Sequence, residues 1–426
     1  MDINRSNYKS YIFTGIKESC SGCGACAQIC SKNALSMQRD EEGFLYPVRD
    51  SNTCINCGLC DKRCPVVSDE SNDDKFTQHC FLATTTHSHF YQQSASIGIC
   101  TMMADSFSKK GGVVYGSFLD EKEWLTYHKR VEDKNGIESI RNSKYIQSDT
   151  KQTYSEVKKD LSEGRKVLFI GTPCQIAGLK SFLNKQYINE NLCTIDLFCH
   201  GVCSPALLTL EVNYWQKKFN STIENFRFRS KRVYQQSNGG MVNFDILKNG
   251  RKKHIERFAG SSPTYHCFAY SGDGNSYNMR LSCYCCPFRS KERYADISVG
   301  DPWFVQDSDI EKKELKSSNI IRSLYSVNTK RGNNYISSIN SLLIQQELPV
   351  HCAFVQPAVL NVERKIPQKR AEIFKGIYHM DYGRLIESIL NCNLDKEHFK
   401  FVISYRKKQV KNIIKNILII IKLYGK

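Results

Sequence analysis

The sequence predicts an α+β domain built around two cysteine-rich runs, followed by an α/β domain with an inserted β-hairpin and a helical, basic C-terminal tail. Eight cysteines recur in two runs near the N-terminus, apolar strand-like segments then alternate with helical ones, and nine basic residues follow residue 395. The predicted boundaries are 1–66 for the cysteine-rich domain, 67–79 for a polar linker, 80–340 for the α/β domain and 341–426 for the tail.

The composition is that of a folded, metal-binding protein. Of its 426 residues 41% are hydrophobic, which excludes a wholly disordered chain and is enough for several packed domains. The chain holds 20 cysteines, and in a large chain without a secretory signal such cysteines more often bind metal than form disulfides. Neither a signal pattern nor a run of about 18 apolar residues occurs, so we expect a cytoplasmic protein without a membrane span.

The two cysteine runs have the spacing of bacterial ferredoxins that hold two 4Fe–4S clusters. Each run has the pattern Cys-x2-Cys-x2-Cys-x3-Cys, and the second ends in Cys-Pro. Three thiolates of one run wrap a cluster, and the fourth ligand comes from the other run. The predicted ligands are Cys20, Cys23, Cys26 and Cys64 for one cluster, and Cys54, Cys57, Cys60 and Cys30 for the other. Zinc knuckles or disulfides would not need eight cysteines in this register, so a ferredoxin-like domain is predicted.

The segments after the linker predict the α/β domain. Short apolar runs bounded by turn residues are typical of buried strands, and Asn-Gly between two alternating runs is typical of a type I′ hairpin. The predicted strands are 113–116, 167–170 and 194–198, and the hairpin pairs 241–248 with 251–258.

Four further cysteines are candidates for a third site. Cys174 and Cys199 follow the strands 167–170 and 194–198, at the strand ends where open α/β sheets bind ligands. Cys174 also lies near a helix N-terminus, where the helix dipole favours a thiolate. With the pair Cys283-x2-Cys286, these residues either hold another 4Fe–4S cluster or are scattered, inert thiols.

Several ordered segments resemble the beta-subunit family of coenzyme F-420 (deazaflavin) hydrogenases and dehydrogenases. They are RNSKYIQS from Arg141, GTPCQIAGLK from Gly171, DLFCHG from Asp196, and CYCCPF from Cys283 with the following RYADISVGD. The resemblance spans about residues 80–340. It implies an iron–sulfur flavoprotein oxidoreductase, in which FAD or FMN lies beside a cluster bound by Cys174, Cys199, Cys283 and Cys286 and electrons pass between one-electron carriers and a hydride donor or acceptor.

The resemblance also indicates candidate flavin contacts, with one departure. The serine-rich stretch that precedes the first helix of the family offers Ser94, Ser96 and Gly98, but Ile97 stands where the family has a glycine. Lys144, Ser148 and Thr172 are the other candidates, with a surface lysine and ordinary turn hydroxyls as the alternative. Cys203 is an alternative cluster ligand, and His200 is expected to support the cluster rather than to act as an acid or base. No catalytic residue is predicted.

The sequence leaves the partners open. A redox partner protein or a hydride-carrying coenzyme is expected. The alternative function is that of a non-catalytic electron-transfer subunit, which binds no flavin and serves a separate catalytic chain. The resemblance allows a place for it in surface-polysaccharide biosynthesis. The basic cluster at 227–232 lies in no recognised module, so no nucleic acid is expected. The tail has an apolar stripe flanked by lysines, which predicts contact with the inner face of a membrane, a partner protein or its own core. The stripe comprises Val410, Ile413, Ile414, Ile417, Leu418 and Ile421.

Overall fold

A computed structural model describes residues 9–68, 76–230, 240–270, 275–316, 320–356 and 364–424. The chain forms two compact units. Of the described residues, those up to Thr209 and those from Met279 to Ile366 belong to the first unit, and those from Leu210 to Asn278 and from Pro367 onward belong to the second. The predicted linker lies partly outside the described residues, and the predicted domain boundaries stay a prediction.

The N-terminal part of the first unit has an internal repeat. Two short helices, α2 and α3, each begin after a glycine in the left-handed region, Gly24 with φ 79° and Gly58 with φ 70°. Each glycine directly follows a cysteine of its run, so the same backbone turn recurs in both runs. Strands β1 and β2 pair antiparallel between the two runs. The elements are α1 Tyr11–Thr14, α2 Ala25–Ile29, β1 Leu35–Arg39, β2 Leu45–Arg49 and α3 Leu59–Lys62.

The remainder of the first unit is built on a nine-stranded mixed sheet. Its strands are β3 His79–Thr84, β4 Val113–Asp120, β5 Leu125–Val131, β6 Ser148–Asp149, β7 Val167–Gly171, β8 Leu192–Leu197, β12 Ile297–Gly300, β13 Ser323–Val327 and β14 Ile344–Leu348. The order in the sheet is β14-β3-β13-β12-β8-β7-β4-β5-β6. The neighbours β4, β7, β8 and β12 run parallel, so their carboxyl ends meet at one edge of the sheet.

Helices cover both faces of this sheet because alternate residues of its central strands are apolar on both sides. Val114 and Leu168 belong to one buried cluster, and Val113 and Phe169 belong to the other. The second cluster also contains Cys23, so the cysteine-rich segment shares a core with the sheet. The helices are α4 Ser88–Gln93, α5 Ile99–Lys109, α6 Lys134–Ile140, α7 Thr153–Ser162, α8 Pro173–Phe182, α11 Lys313–Lys316, α12 Lys330–Ile336 and α13 His351–Phe354.

The edge strand β14 lies beyond residue 340, where the sequence pattern predicts helix. It pairs antiparallel with β3, from Ile344 opposite Thr84 to Leu348 opposite Cys80. Its central residues are two glutamines and a glutamate, as is common on a sheet edge that faces solvent. The apolar alternation that marks a strand in the sequence is therefore absent.

The second unit contains a three-stranded antiparallel sheet and the C-terminal helices. Strands β10 and β11 pair from Met241 opposite Phe258 to Lys248 opposite Arg251, and the turn residues Asn249 and Gly250 both have positive φ, as a type I′ turn requires. The strands are β9 Ile223–Arg227, β10 Met241–Lys248 and β11 Arg251–Phe258. The helices are α10 Pro263–Tyr265, α14 Gln368–Gly376, α15 Tyr382–Leu390 and α16 Leu394–Tyr424, and α9 Pro205–Phe219 begins in the first unit.

In the part of the chain that the structure describes, no helix is both long enough and apolar enough to cross a bilayer.

Candidate iron–sulfur centres

The first predicted set of ligands lines one cavity. Cys20, Cys23, Cys26 and Cys64 all contribute to its wall. Burial raises the pKa of Cys23 to about 11 and that of Cys64 to about 12, and repulsion between neighbouring thiolates adds to both shifts. Four thiols held this close in a dry site need a cation to become thiolates together.

The second predicted set lines another cavity, which lies closer to solvent. Its wall contains Cys30, Cys54, Cys57 and Cys60, and Cys57 is exposed. Burial raises the pKa of Cys60, and the neighbouring Cys30 adds to the shift. The backbone N–H of Ala34 donates to Cys30 Sγ at 3.3 Å. An N–H donor to a ligand sulfur is one of the groups that tune iron–sulfur centres.

The two cavities have the crossed arrangement that the cysteine spacing predicts. Cys64 of the second run joins the first set, and Cys30 of the first run joins the second set. No three His, Cys, Asp or Glu side chains among the described residues converge tightly enough for a single metal ion. A 4Fe–4S cluster does not require such convergence, because each cysteine binds a different iron and the four sulfurs surround the whole cluster.

The third set of cysteines gathers at the carboxyl edge of the large sheet. Cys174 is in the first turn of α8 directly after β7, and Cys199 follows β8. Burial raises the pKa of Cys174 well above its usual value, and repulsion from Cys286, Cys199 and Cys283 adds to the shift. The same neighbours, Cys283 and Cys286, contribute to the raised pKa of Cys199, which burial brings to about 12. The four thiols therefore lie near one another.

The helix N-terminus that favours a thiolate at Cys174 is opposed by burial in the protein without a bound metal. A helix N-terminus stabilises a nearby thiolate by about 0.3–1 kcal/mol, which is less than about one pKa unit. Full burial raises the pKa of a thiol by up to about 3–5 units. Burial is the largest influence on the pKa of Cys174. A bound metal would reverse the balance, because a coordinating thiol is deprotonated by the ion's charge.

Two arginines and a histidine surround the third set. Nη2 of Arg289 donates to the carbonyl oxygens of Cys283 and of His200, and Nη1 of Arg364 lies 3.4 Å from the same oxygen of His200. Burial, with repulsion from Arg289, lowers the pKa of Arg364 to about 10. Cys283, Cys199 and Tyr284 favour its charged form. Burial lowers the pKa of His200 to about 3, so His200 is neutral.

The remaining cysteines near this set have other places. Cys203 is buried, and its backbone forms bridges to Ile146 and Met279. The sheet core contains Cys193, and Cys285 is exposed. The alternative in which Cys203 is a ligand stays a prediction.

The predicted flavin contacts before α5 are engaged within the protein. Ser94 donates to a buried threonine hydroxyl at 3.1 Å, and the hydroxyls of Ser96 and Ser323 lie 2.6 Å apart. Ile97 is fully buried in the core. Gly98 precedes α5 with φ 87°, and a Cβ there would lie 2.9 Å from Ser94 Oγ. The backbone conformation and the lack of space at the start of α5 therefore account for a glycine at this position.

The other three predicted contacts are also bonded internally. Lys144 Nζ donates to three backbone carbonyl oxygens at 2.7–2.8 Å. Ser148 Oγ lies 2.9 Å from His128 Nδ1, and Thr172 Oγ1 donates to Gln175 Oε1 at 3.1 Å in a capping box. These internal contacts leave the role of the six residues as flavin contacts a prediction, and we derive no step through a flavin from them.

Two residues beside these centres carry no recognisable sequence signal. Arg280 is fully buried and hydrogen-bonds the cysteine-rich segment, and Tyr154 is fully buried between Cys23 and Cys174. A lone arginine in an irregular segment and a tyrosine on an amphipathic helix resemble ordinary structural residues, so only the three-dimensional arrangement distinguishes them.

Comparison with known proteins agrees with this arrangement. Residues 164–345 match the family model for the C-terminal region of the coenzyme F-420 hydrogenase/dehydrogenase beta chain, and residues 19–67 match that of the 4Fe–4S dicluster domain. An uncharacterized ferredoxin from Methanocaldococcus jannaschii is 43% identical over 49 residues, which are 12% of this chain and 62% of that ferredoxin. A chain of the F-420-reducing NiFe hydrogenase complex from Methanosarcina barkeri is similar with 17% identity and a TM-score of 0.40, over 70% of this chain and 93% of that one.

The chain is therefore an iron–sulfur electron-transfer protein related to the beta subunit of coenzyme F-420 hydrogenases and dehydrogenases, with a match to the 4Fe–4S dicluster domain at 19–67 and a match to the C-terminal region of that subunit at 164–345.

Proposed function

We propose that this protein is an iron–sulfur oxidoreductase that carries electrons between a one-electron redox partner and a hydride donor or acceptor, through three 4Fe–4S clusters. The observation that carries the proposal is the gathering of twelve cysteines into three groups of four, two of which line cavities. Such clusters supply reversible one-electron storage when bound. The proposed ligands are Cys20, Cys23, Cys26 and Cys64; Cys30, Cys54, Cys57 and Cys60; and Cys174, Cys199, Cys283 and Cys286.

The positive charges around the third set support a cluster there. Arg289 and Arg364 are close enough for repulsion to lower the pKa of Arg364. Burying two such cations is costly unless an anion compensates them. A 4Fe–4S cluster with four thiolates is an anion, whereas four protonated thiols carry no charge. Arg289 and Arg364 would hold the cluster electrostatically, and Arg289 also fixes the loop by its bond to the Cys283 carbonyl oxygen.

The second set is the proposed point of electron entry or exit. Cys57 is exposed and Ile55, beside it on the same cavity, is 61% exposed. Electron transfer between proteins requires close approach of the two centres, and an exposed apolar side chain at the site suits a transient partner. The chain's residues therefore support docking of a one-electron redox protein at this edge.

The hydride end of the reaction is the finer part of the proposal. Clusters exchange single electrons, so a flavin such as FAD or FMN, or a partner chain, must convert them to hydride chemistry. The buried Ile97 and the internal bonds of Lys144 favour a second candidate, a chain that binds no flavin and serves a separate catalytic chain. Anaerobic purification, precipitation and a spectrum of the supernatant distinguish the two, and reduction of a dye by a hydride donor tests catalysis directly.

Iron analysis tests the cluster proposal. Three clusters predict about twelve iron atoms per chain, against about eight for the dicluster domain alone. Cys174→Ala is expected to remove about four iron atoms. Cys193→Ala is the matched control, because it removes a buried thiol of the sheet core and should leave the iron content unchanged. A full-length protein with about eight irons, unchanged in Cys174→Ala, would exclude the third cluster.

We also propose that α16 contacts the cytoplasmic face of a membrane, where the lipid surface is anionic. The helix exposes apolar side chains at i, i+4, i+11, i+14 and i+15, and no acidic residue follows residue 397. The side chains are Phe399, Ile403, Val410, Ile413 and Ile414, with exposed fractions of 38–65%. The predicted stripe residues beyond these, at 417, 418 and 421, have side chains outside the described residues.

Vesicle binding tests this contact. The intact protein should pellet with vesicles rich in phosphatidylserine and not with neutral vesicles, because lysines near an anionic surface contribute about 1 kcal/mol each. A variant with Lys407, Lys408 and Lys411 changed to Gln should lose most of this binding. A variant ending at residue 395 should lose all of it. Equal pelleting of the three proteins would reject membrane contact.

A further inference from the structure

The first and third groups of cysteines meet across α8. Gly178 lies one turn after Cys174 on this helix, and positions i and i+4 share a face. A Cβ on Gly178 would lie 3.0 Å from both Cβ and Sγ of Cys23. The first group therefore packs directly on the helix face that begins with a member of the third group.

A buried aromatic ring fills the space beside this contact. Tyr154 is fully buried, and its hydroxyl donates to the carbonyl oxygen of Gln175 at 2.9 Å. The same hydroxyl would lie 3.1 Å from a Cβ on Gly178. Burial raises the pKa of Tyr154, and Cys23 and Cys174 both add to the shift, so both thiols are its neighbours. Water is excluded from the region between the two groups, where charges are poorly screened.

Arg280 is hydrogen-bonded to one member of each group. Its side-chain Nε donates to the carbonyl oxygen of Cys20 at 2.7 Å. Its own carbonyl oxygen accepts from the backbone N–H of Cys283 at 2.9 Å. Nη1 donates to Gln147 Oε1 at 3.2 Å, and the guanidinium lies 4.0 Å from the ring centroid of Tyr46.

The charge of Arg280 reaches both groups. A Cβ on Gly22, which lies between Cys20 and Cys23, would be 3.0 Å from the guanidinium carbon of Arg280, and Cys283 follows Arg280 by three residues in the same turn. Its guanidinium is fully buried, and Nη2 has no hydrogen-bond partner within the described residues. A buried cation at this place favours added negative charge on either side.

We propose that Arg280 is a positioning residue that joins the cluster of Cys20, Cys23, Cys26 and Cys64 to that of Cys174, Cys199, Cys283 and Cys286 and raises the reduction potential of both. The inference rests on the proposed function. With both clusters bound, one electron would pass between them in the region of the Cys23–Gly178 contact, oxidising one cluster and reducing the other. No bond forms or breaks and no proton moves. The electron comes from a reduced one-electron redox protein that docks on the dicluster domain.

Redox titration followed by electron paramagnetic resonance tests the role of Arg280. In the full-length protein with its clusters, Arg280→Met should lower both potentials, because each reduced cluster carries one more negative charge than its oxidised form. The expected change is on the order of tenfold in the ratio of reduced to oxidised cluster, which corresponds to about 59 mV for a one-electron couple. Arg280→Lys should keep most of the potential, because it retains the charge.

Arg130→Gln is the matched control. Arg130 lies on β5 and is paired with Asp160 and Glu132. Its replacement should leave the reduction potentials of both clusters unchanged. Unchanged potentials in Arg280→Met with full iron content would overturn the inference. If Arg280→Met does not fold, the electron paramagnetic resonance spectrum of the wild-type protein provides the test. The two reduced clusters should broaden each other's resonance in that spectrum. Cys174→Ala should abolish the broadening. Absence of the interaction also overturns the inference.

The two proposals fail differently. If the wild-type protein holds about eight iron atoms, the third cluster is excluded, and the proposed function is excluded with it. If the protein holds about twelve iron atoms and its reduction potentials do not change in Arg280→Met, the proposed function stands and only the role of Arg280 is excluded.

Discussion

Replacing Gly178 with alanine tests how tightly the cysteine-rich segment packs on α8. The added methyl carbon would lie 3.0 Å from Cys23 Cβ and Sγ and 3.1 Å from Tyr154 Oη. Non-bonded carbon atoms prefer about 3.5–4.0 Å, so Cys23 and α8 must separate by a few tenths of an ångström. Overpacking of this kind costs about 1–3 kcal/mol, whereas alanine gains about 1 kcal/mol over glycine in a helix interior. The expected net effect is a destabilisation of about 1 kcal/mol.

The assay is loss of the visible cluster absorption on heating, under anaerobic conditions. Gly178→Ala should lose its absorption at a lower temperature than the wild type, and it should reduce an electron acceptor more slowly per iron. Ser162→Ala is the control, since it places the same residue at the exposed end of α7. If Gly178→Ala is as stable and as fast as the wild type, Cys23 does not press on α8, and the packing argument is refuted.

Two further predictions concern buried ionisable groups in the first unit. Burial lowers the pKa of His128 to about 4, beside the carbonyl oxygen of Ile170, so the unfolded chain binds its proton first as pH falls. Stability should decline by about 3 kcal/mol from about pH 6.5 to pH 4, and His128→Gln should flatten this part of a melting-temperature profile. Asp296→Asn should cost about 3–5 kcal/mol in denaturant unfolding, because it leaves the Arg331 cation without its buried partner. Glu347→Gln, which removes an exposed pair, should cost less than about 1 kcal/mol, and equal losses would contradict the burial argument.

The cysteine groups could be predicted from the sequence because their determinants are local. A fixed spacing of cysteines determines which thiols share a loop, and the known pairing of such runs supplies the fourth ligand. Cys174 and Cys199 each follow a strand, and parallel neighbours bring the ends of β7 and β8 together. Each inference needs only a short segment and one topological rule.

The contacts that join the groups could not be predicted in this way. Gly178 is 155 positions from Cys23 along the chain, and nothing in either segment encodes that they touch. The hydroxyls of Ser94 and Ser96 illustrate a second limit, since a serine can bond to a cofactor or to its own protein with equal ease. Only the fold decides between these partners.

Burial and charge together predict the direction of electron flow. The cavity of the second group lies next to exposed residues, including Lys32 and Arg49, whose charges water screens strongly. The third group has Arg289 and Arg280 close by in a buried region, where the same charge acts with several times the energy. The potential should therefore rise from the second group to the third, so that electrons move inward from the docking edge. A titration that places the second group highest would reverse this direction and make the exposed edge an exit.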